Sequence, residues 1–178
     1  MPQVKNKKKK SSIIQVSIGV LAVILAILII IMMGIVSDIQ GTARIVNYTG
    51  LVRGETQRLI KLELSTQQEN EMIHEIRTFI DGLRNGNDEL NLVRLDDVDF
   101  QNKMQELDDK FSDLYKKIYL VRFKGVKNTD IIPESEEFFV ICDEATGLAE
   151  KYSQKKATSL SLLEKYITAD IVVLMLLI

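Results

Sequence analysis

Tryptophan is missing from this chain, and cysteine and histidine occur once each. A single cysteine cannot form a disulfide within the chain, and without Cys or His partners no metal set can be built around His74. Cys142 shares helical spacing with Phe138, Ile141 and Ala145 and reads as a small buried apolar residue, whereas His74 falls one position off an apolar stripe and reads as exposed. With only two prolines, few aromatics and runs rich in Leu, Ile, Glu and Lys, the composition favours an all-α fold over a sheet protein. The chain also lacks a nucleophile elbow, a phosphate-binding glycine loop and a Ser/His/Asp set, so no catalysis is expected within it and no cofactor is implied.

Acids are absent before Asp38, and charge of either sign is absent from Ser11 to Ser37. All 25 acids lie between Asp38 and Asp170, while Lys5, Lys7, Lys8, Lys9 and Lys10 crowd the start. The middle of the chain is therefore acidic, which argues against nucleic acid as a partner but leaves room for a small anion at a local basic site. As a helix, Ile13 to Val36 rises about 36 Å, enough to cross a bilayer core of about 30 Å. A signal peptide has a shorter apolar region and a small-residue cleavage site, so the run reads as a retained anchor. Lysines before it place the N-terminus in the cytoplasm and everything from Asp38 onward outside.

The expected division is a basic tail over 1–12, a transmembrane helix over 13–36, an extracytoplasmic domain over 37–170 and, over 171–178, the start of a second transmembrane helix cut off mid-span. An output module in the cytoplasm would follow such a crossing.

Helix one is expected to continue from the membrane to about Leu64, with a packing seam of Ile39, Ala43, Val46, Gly50, Arg53, Gln57, Ile60 and Leu64 in steps of four and three. Arg53 on that seam would need an anionic partner, because a buried guanidinium costs several kcal/mol when unpaired. Gly50 and Gly54 suggest close approach of a neighbour or ligand, or small-residue packing between helices. Thr66 with Glu69 fits a capping box for helix two, which carries Ile73, Ile76, Ile80 and Leu83 on one face. Turn formers follow from Arg84 to Asp88, and the stripe Phe100, Met104, Leu107, Phe111, Leu114, Ile118 and Val121 marks helix three. Pro133 and the glutamates after it suit the first turn of helix four, which runs through Phe138, Cys142, Ala145, Leu148, Tyr152, Ser159, Leu163 and Tyr166. Two long helices joined to the membrane and two shorter ones between them predict an antiparallel four-helix bundle.

Arg44, Asn47, Arg53, Gln57, Arg58 and Lys61 fall within one stretch in which Glu55 is the only acid. Asn47, Gly50, Arg53, Gly54 and Gln57 share one broad helical face and form the candidate ligand site. Arginine's planar fork suits carboxylate or a small oxyanion, with Asn47 and Gln57 as neutral donors. An ion pair with an acid on another helix, or a guanidinium that snorkels to the surface, explains Arg53 as well.

The run from Ala43 to Leu59, with Asn47, Gly50, Arg53, Arg58 and Leu59 in the matching places, resembles the periplasmic signature helix of nitrate/nitrite sensor kinases and of type IV pilus chemotaxis transducers. The resemblance implies a parallel homodimer in which Arg53 of each subunit grips an anion at the two-fold axis. The chain departs from the nitrate sensors in having Gly54 where they tend to have Met, and in the added acid Glu55. The expected function is thus a membrane-embedded sensory input domain for a nitrate-like or carboxylate anion. Its output could be a histidine kinase, a methyl-accepting chemoreceptor or a cyclic-dinucleotide enzyme; a structural or adaptor bundle with a protein partner is the alternative.

Overall fold

The computed structural model describes the backbone from residue 3 to 178. The side chains at 1–11 and 128 lie outside the described residues, and the lysine cluster Lys5 to Lys10 is among them. Four α-helices, α1 (Gln3–Leu64), α2 (Asn70–Asn85), α3 (Val98–Lys124) and α4 (Ile131–Leu177), account for nearly all of it. No strand occurs among the described residues beyond an isolated bridge between Asn87 and Leu92. The fold is all-α.

The chain divides into two compact units, one of Gln40–Gln154 and one of Met1–Ile39 with Lys155–Ile178. The first, here the core unit, buries the α3 stripe from Phe100 to Val121 completely or nearly so. Onto it α2 places Ile73, Ile76, Ile80 and Leu83, and α4 places Phe138, Cys142 and Ala145.

On α1 the buried positions are Thr42, Ile45, Thr49, Val52, Thr56, Leu59, Ile60 and Glu63. All but Ile60, itself a position of that seam, lie one residue N-terminal to the seam read from the sequence. Rotation by one position exposes Ala43 and Gln57 and leaves Arg53 at the edge of the core. Three threonines on the buried side disguise it, since a search for apolar spacing passes over them. Thr49 remains compatible with burial because its hydroxyl donates to the Val46 carbonyl at 2.9 Å.

The capping box expected at Thr66 does not form. Thr66 has a φ of 64° and belongs to the turn that ends α1, where Ser65, Thr66 and Gln67 donate back to α1 carbonyls. The reversal needs a left-handed residue there, which removes Thr66 from the extended conformation of an N-cap. Helix α2 starts after Glu69 with no side-chain cap. By contrast α3 is capped by Asp97, whose carboxylate accepts from the Phe100 N–H at 3.0 Å. The α2–α3 connection is held against α1: Arg44 donates to the Asn91 carbonyl at 2.9 Å, and a Cβ on Gly41 would stand 2.8 Å from Val93. Gly41 is thus the glycine of α1 that a close neighbour requires.

In the second unit α1 half-buries Leu21, Leu25, Leu28, Met32 and Ile35, and α4 does the same with Leu160, Leu163, Ile167, Leu174 and Leu177. Asp170 stands in that α4 series and is 9% exposed. The outward face is largely apolar on α1 between residues 13 and 36 and on α4 after Asp170, with Ile30, Met33 and Leu176 more than half exposed, whereas Lys155, Glu164 and Lys165 are exposed earlier on α4. One window of 18 residues in α1 has a mean hydropathy of 3.2, long and apolar enough to cross a membrane. This unit takes in α4 from Lys155 onward.

Candidate functional site

Arg53 is where the sequence-derived site and the structure meet. Its Nη1 donates to Oδ1 of Asp143 on α4, and its guanidinium carbon lies 5.1 Å from the centre of the Phe139 ring. Phe139 and Asp143 are four apart, so one turn of α4 presents a ring and a carboxylate to the same cation. The pair is half open to solvent, with side-chain exposures of 39% and 48%. Arg53 is therefore not a buried guanidinium, and the desolvation cost expected from its place on a seam does not arise. Exposed pairs of this kind are worth about 0.2–1 kcal/mol, and the ring contact adds about 0.5–1 kcal/mol.

The other candidates do not gather around it. Asn47 and Gln57 are exposed, and among the described residues no hydrogen bond joins either to Arg53. Gly50 and Gly54 have nothing within 4 Å of where a Cβ would stand, so among the described residues of the single chain neither has a close neighbour. The cations nearby are engaged locally: Arg58 reaches Glu55 at 3.5 Å, and Arg44 is spent on the Asn91 carbonyl.

One turn from Asp143, Thr146 donates to the Thr49 hydroxyl at 2.9 Å, a second direct tie between α1 and α4. Cys142 lies behind the pair. Burial pushes its thiol up to about 12, against the pull of Arg53 and with the push of Asp143, so it is an inert core residue. His74 is exposed. Among the described residues no three of His, Cys, Asp and Glu are grouped to hold a metal ion.

Sequence reasoning missed Asp143 and Phe139 as partners of Arg53, and it missed the buried pair of Glu63 and Arg122. Arg122 donates through Nε to Glu63 at 2.8 Å and through Nη1 to Asn70 at 2.8 Å, with side chains only 9% and 1% exposed. The hydrogen bond to Glu63 raises the Arg122 pKa. The available signal was Glu63 itself, an acid continuing the spacing of Thr42, Thr49 and Thr56. Compared with protein families, curated proteins and solved structures, the chain matches none.

Proposed function

We propose that this chain is the sensory input part of a membrane receptor: an antiparallel four-helix bundle outside the cytoplasm, dimeric along α1, that takes a small anion at Arg53. The observation that carries the proposal is the half-exposed pair of Arg53 and Asp143. It links α1 to α4, the two helices that also run through the apolar unit. An anion that draws Arg53 from Asp143 removes one of the direct ties between them, and a shift of α1 against α4 is a signal that the same helices can carry onward. The antiparallel arrangement is supported by Asp38 with Lys156, Thr49 with Thr146 and Arg53 with Asp143, partners that descend α4 as they ascend α1. Open space beyond Gly50 and Gly54 leaves that face of α1 available to a second copy. A cysteine at Val46 in a Cys142→Ala background should then crosslink between copies in membranes; failure there, while exposed α3 positions crosslink, removes the α1 dimer.

Thermal melts of the full chain in detergent, wild type and Arg53→Ala, with nitrate, nitrite or acetate, test the proposal. One of these anions should raise the wild-type midpoint and leave the mutant unmoved, and the mutation alone should cost no more than about 1–2 kcal/mol. A second reading, a structural or adaptor bundle, is favoured by the partners Arg53 already has. It predicts that no anion stabilises the wild type and that Arg53→Ala costs more than Asp143→Ala, by about the 0.5–1 kcal/mol of the Phe139 contact.

A further inference from the structure

A groove of about 680 Å³ lies between α2 and α3, lined by Gln68, Asn70, Ile73, His74, Arg77, Tyr115, Tyr119 and Arg122. No acid lines it, although the core unit is acidic overall. Arg122 is neutralised by Glu63, but Arg77 is not so matched: among the described residues it makes no ion pair. Its guanidinium carbon instead lies 4.9 Å from the centre of the Tyr115 ring and 5.7 Å from that of Phe111. Stacking leaves the N–H edge of a planar guanidinium available to a carboxylate.

Aromatic surface continues along α3 beside this cation. Tyr119 is 6.4 Å from Tyr115 and half exposed, and Phe123 is 5.2 Å from Tyr119 and 74% exposed. These rings recur every fourth residue, so they form a strip on one helical face. The neutral groups at the rim can donate. His74 and Gln68 carry N–H groups, and Asn70 has its amide hydrogens to offer because its Oδ1 accepts from Arg122. A cation with a free edge, a flat apolar wall and neutral donors, without an opposing acid, selects a ligand that is planar and apolar over most of its body and anionic at one end.

We infer that the α2–α3 groove binds an aromatic monocarboxylate, with its carboxylate on Arg77 and its ring against Tyr115 and Tyr119. This site uses none of the residues around Arg53 and does not depend on an anion binding there. Benzoate is the probe, titrated into the full chain in detergent by calorimetry, with benzamide and acetate as controls that lack the charge and the ring. Saturable benzoate binding is expected, at least about tenfold tighter than either control, and Arg77→Gln should weaken it about tenfold or more. Arg77→Lys, which keeps the charge without the fork, should bind with intermediate strength, and it serves if Arg77→Gln does not fold. In Arg53→Gln, which removes the proposed α1 anion site and any acetate held there, benzoate should still bind at least about tenfold tighter than acetate. Benzoate no tighter than acetate, no saturable binding, or undiminished binding by either Arg77 variant overturns the inference. Loss of benzoate binding in Arg53→Gln overturns it too, by moving the anion to α1.

Discussion

Each of the two units hides a carboxylate, and they treat it differently. In the core unit Glu63 is 3% exposed and is met by Arg122 from α3. In the apolar unit Asp170 is 9% exposed, and among the described residues its Oδ2 accepts no hydrogen bond. The seams follow the same steps of three and four, yet the core unit turns charged residues outward and the apolar unit turns out Ile30, Met33 and Leu176. A common helix-packing rule thus serves two surroundings, one in which a buried charge has a partner and one in which a buried carboxylate oxygen has none among the described residues. Going back along α1 from Asp38 and forward along α4 from Lys156 by equal steps brings Asp170 level with Ile24, at the middle of the apolar run. In the proposed topology that is the depth at which a carboxylate is least tolerated.

The largest effect should come from breaking the satisfied pair. Glu63→Ala strands Arg122 in a site where it is 9% exposed and should cost about 3–5 kcal/mol in denaturant unfolding of the full chain. A cost below about 1 kcal/mol would make the two carboxylates equivalent and remove the contrast. Asp170→Leu should act in the opposite direction, stabilising the packing of α4 on α1 by about 1–3 kcal/mol, because an unsatisfied buried group is replaced by an apolar one. The same unfolding measurement checks it. Destabilisation would show that the carboxylate has a partner in the membrane-inserted protein.

Much of the core unit is legible in the amino-acid sequence. The α3 stripe and the α2 face are dense, uninterrupted apolar patterns, and every position named in them is buried. Helix α1 does end at Leu64, the expected bound, although the capping box read at Thr66 just after it does not form. The face of α1 is not legible, because its buried side alternates Thr42, Thr49 and Thr56 with Ile45, Val52 and Leu59, and a search for apolar spacing passes over threonines that are packed like apolar groups. A one-residue rotation follows, enough to take Arg53 from a seam to its edge. Its partners Phe139 and Asp143 lie 86 and 90 positions away in the chain, and long-range pairing leaves no local pattern to read.

Exchange of Asp143 for an anion at Arg53 is the centre of the account, and a competing carboxylate makes it measurable with a smaller but more specific effect than either stability change. Nitrate and acetate affinities should be compared for the wild type, Asp143→Asn and Arg53→Gln in the full chain. With the competitor removed, Asp143→Asn should bind the cognate anion about 1.4- to 5-fold tighter than the wild type, the equivalent of the 0.2–1 kcal/mol that an exposed pair is worth. Arg53→Gln should not bind it. Equal affinity in the wild type and Asp143→Asn, or binding that survives Arg53→Gln, would contradict the exchange and leave the pair a structural tie between α1 and α4.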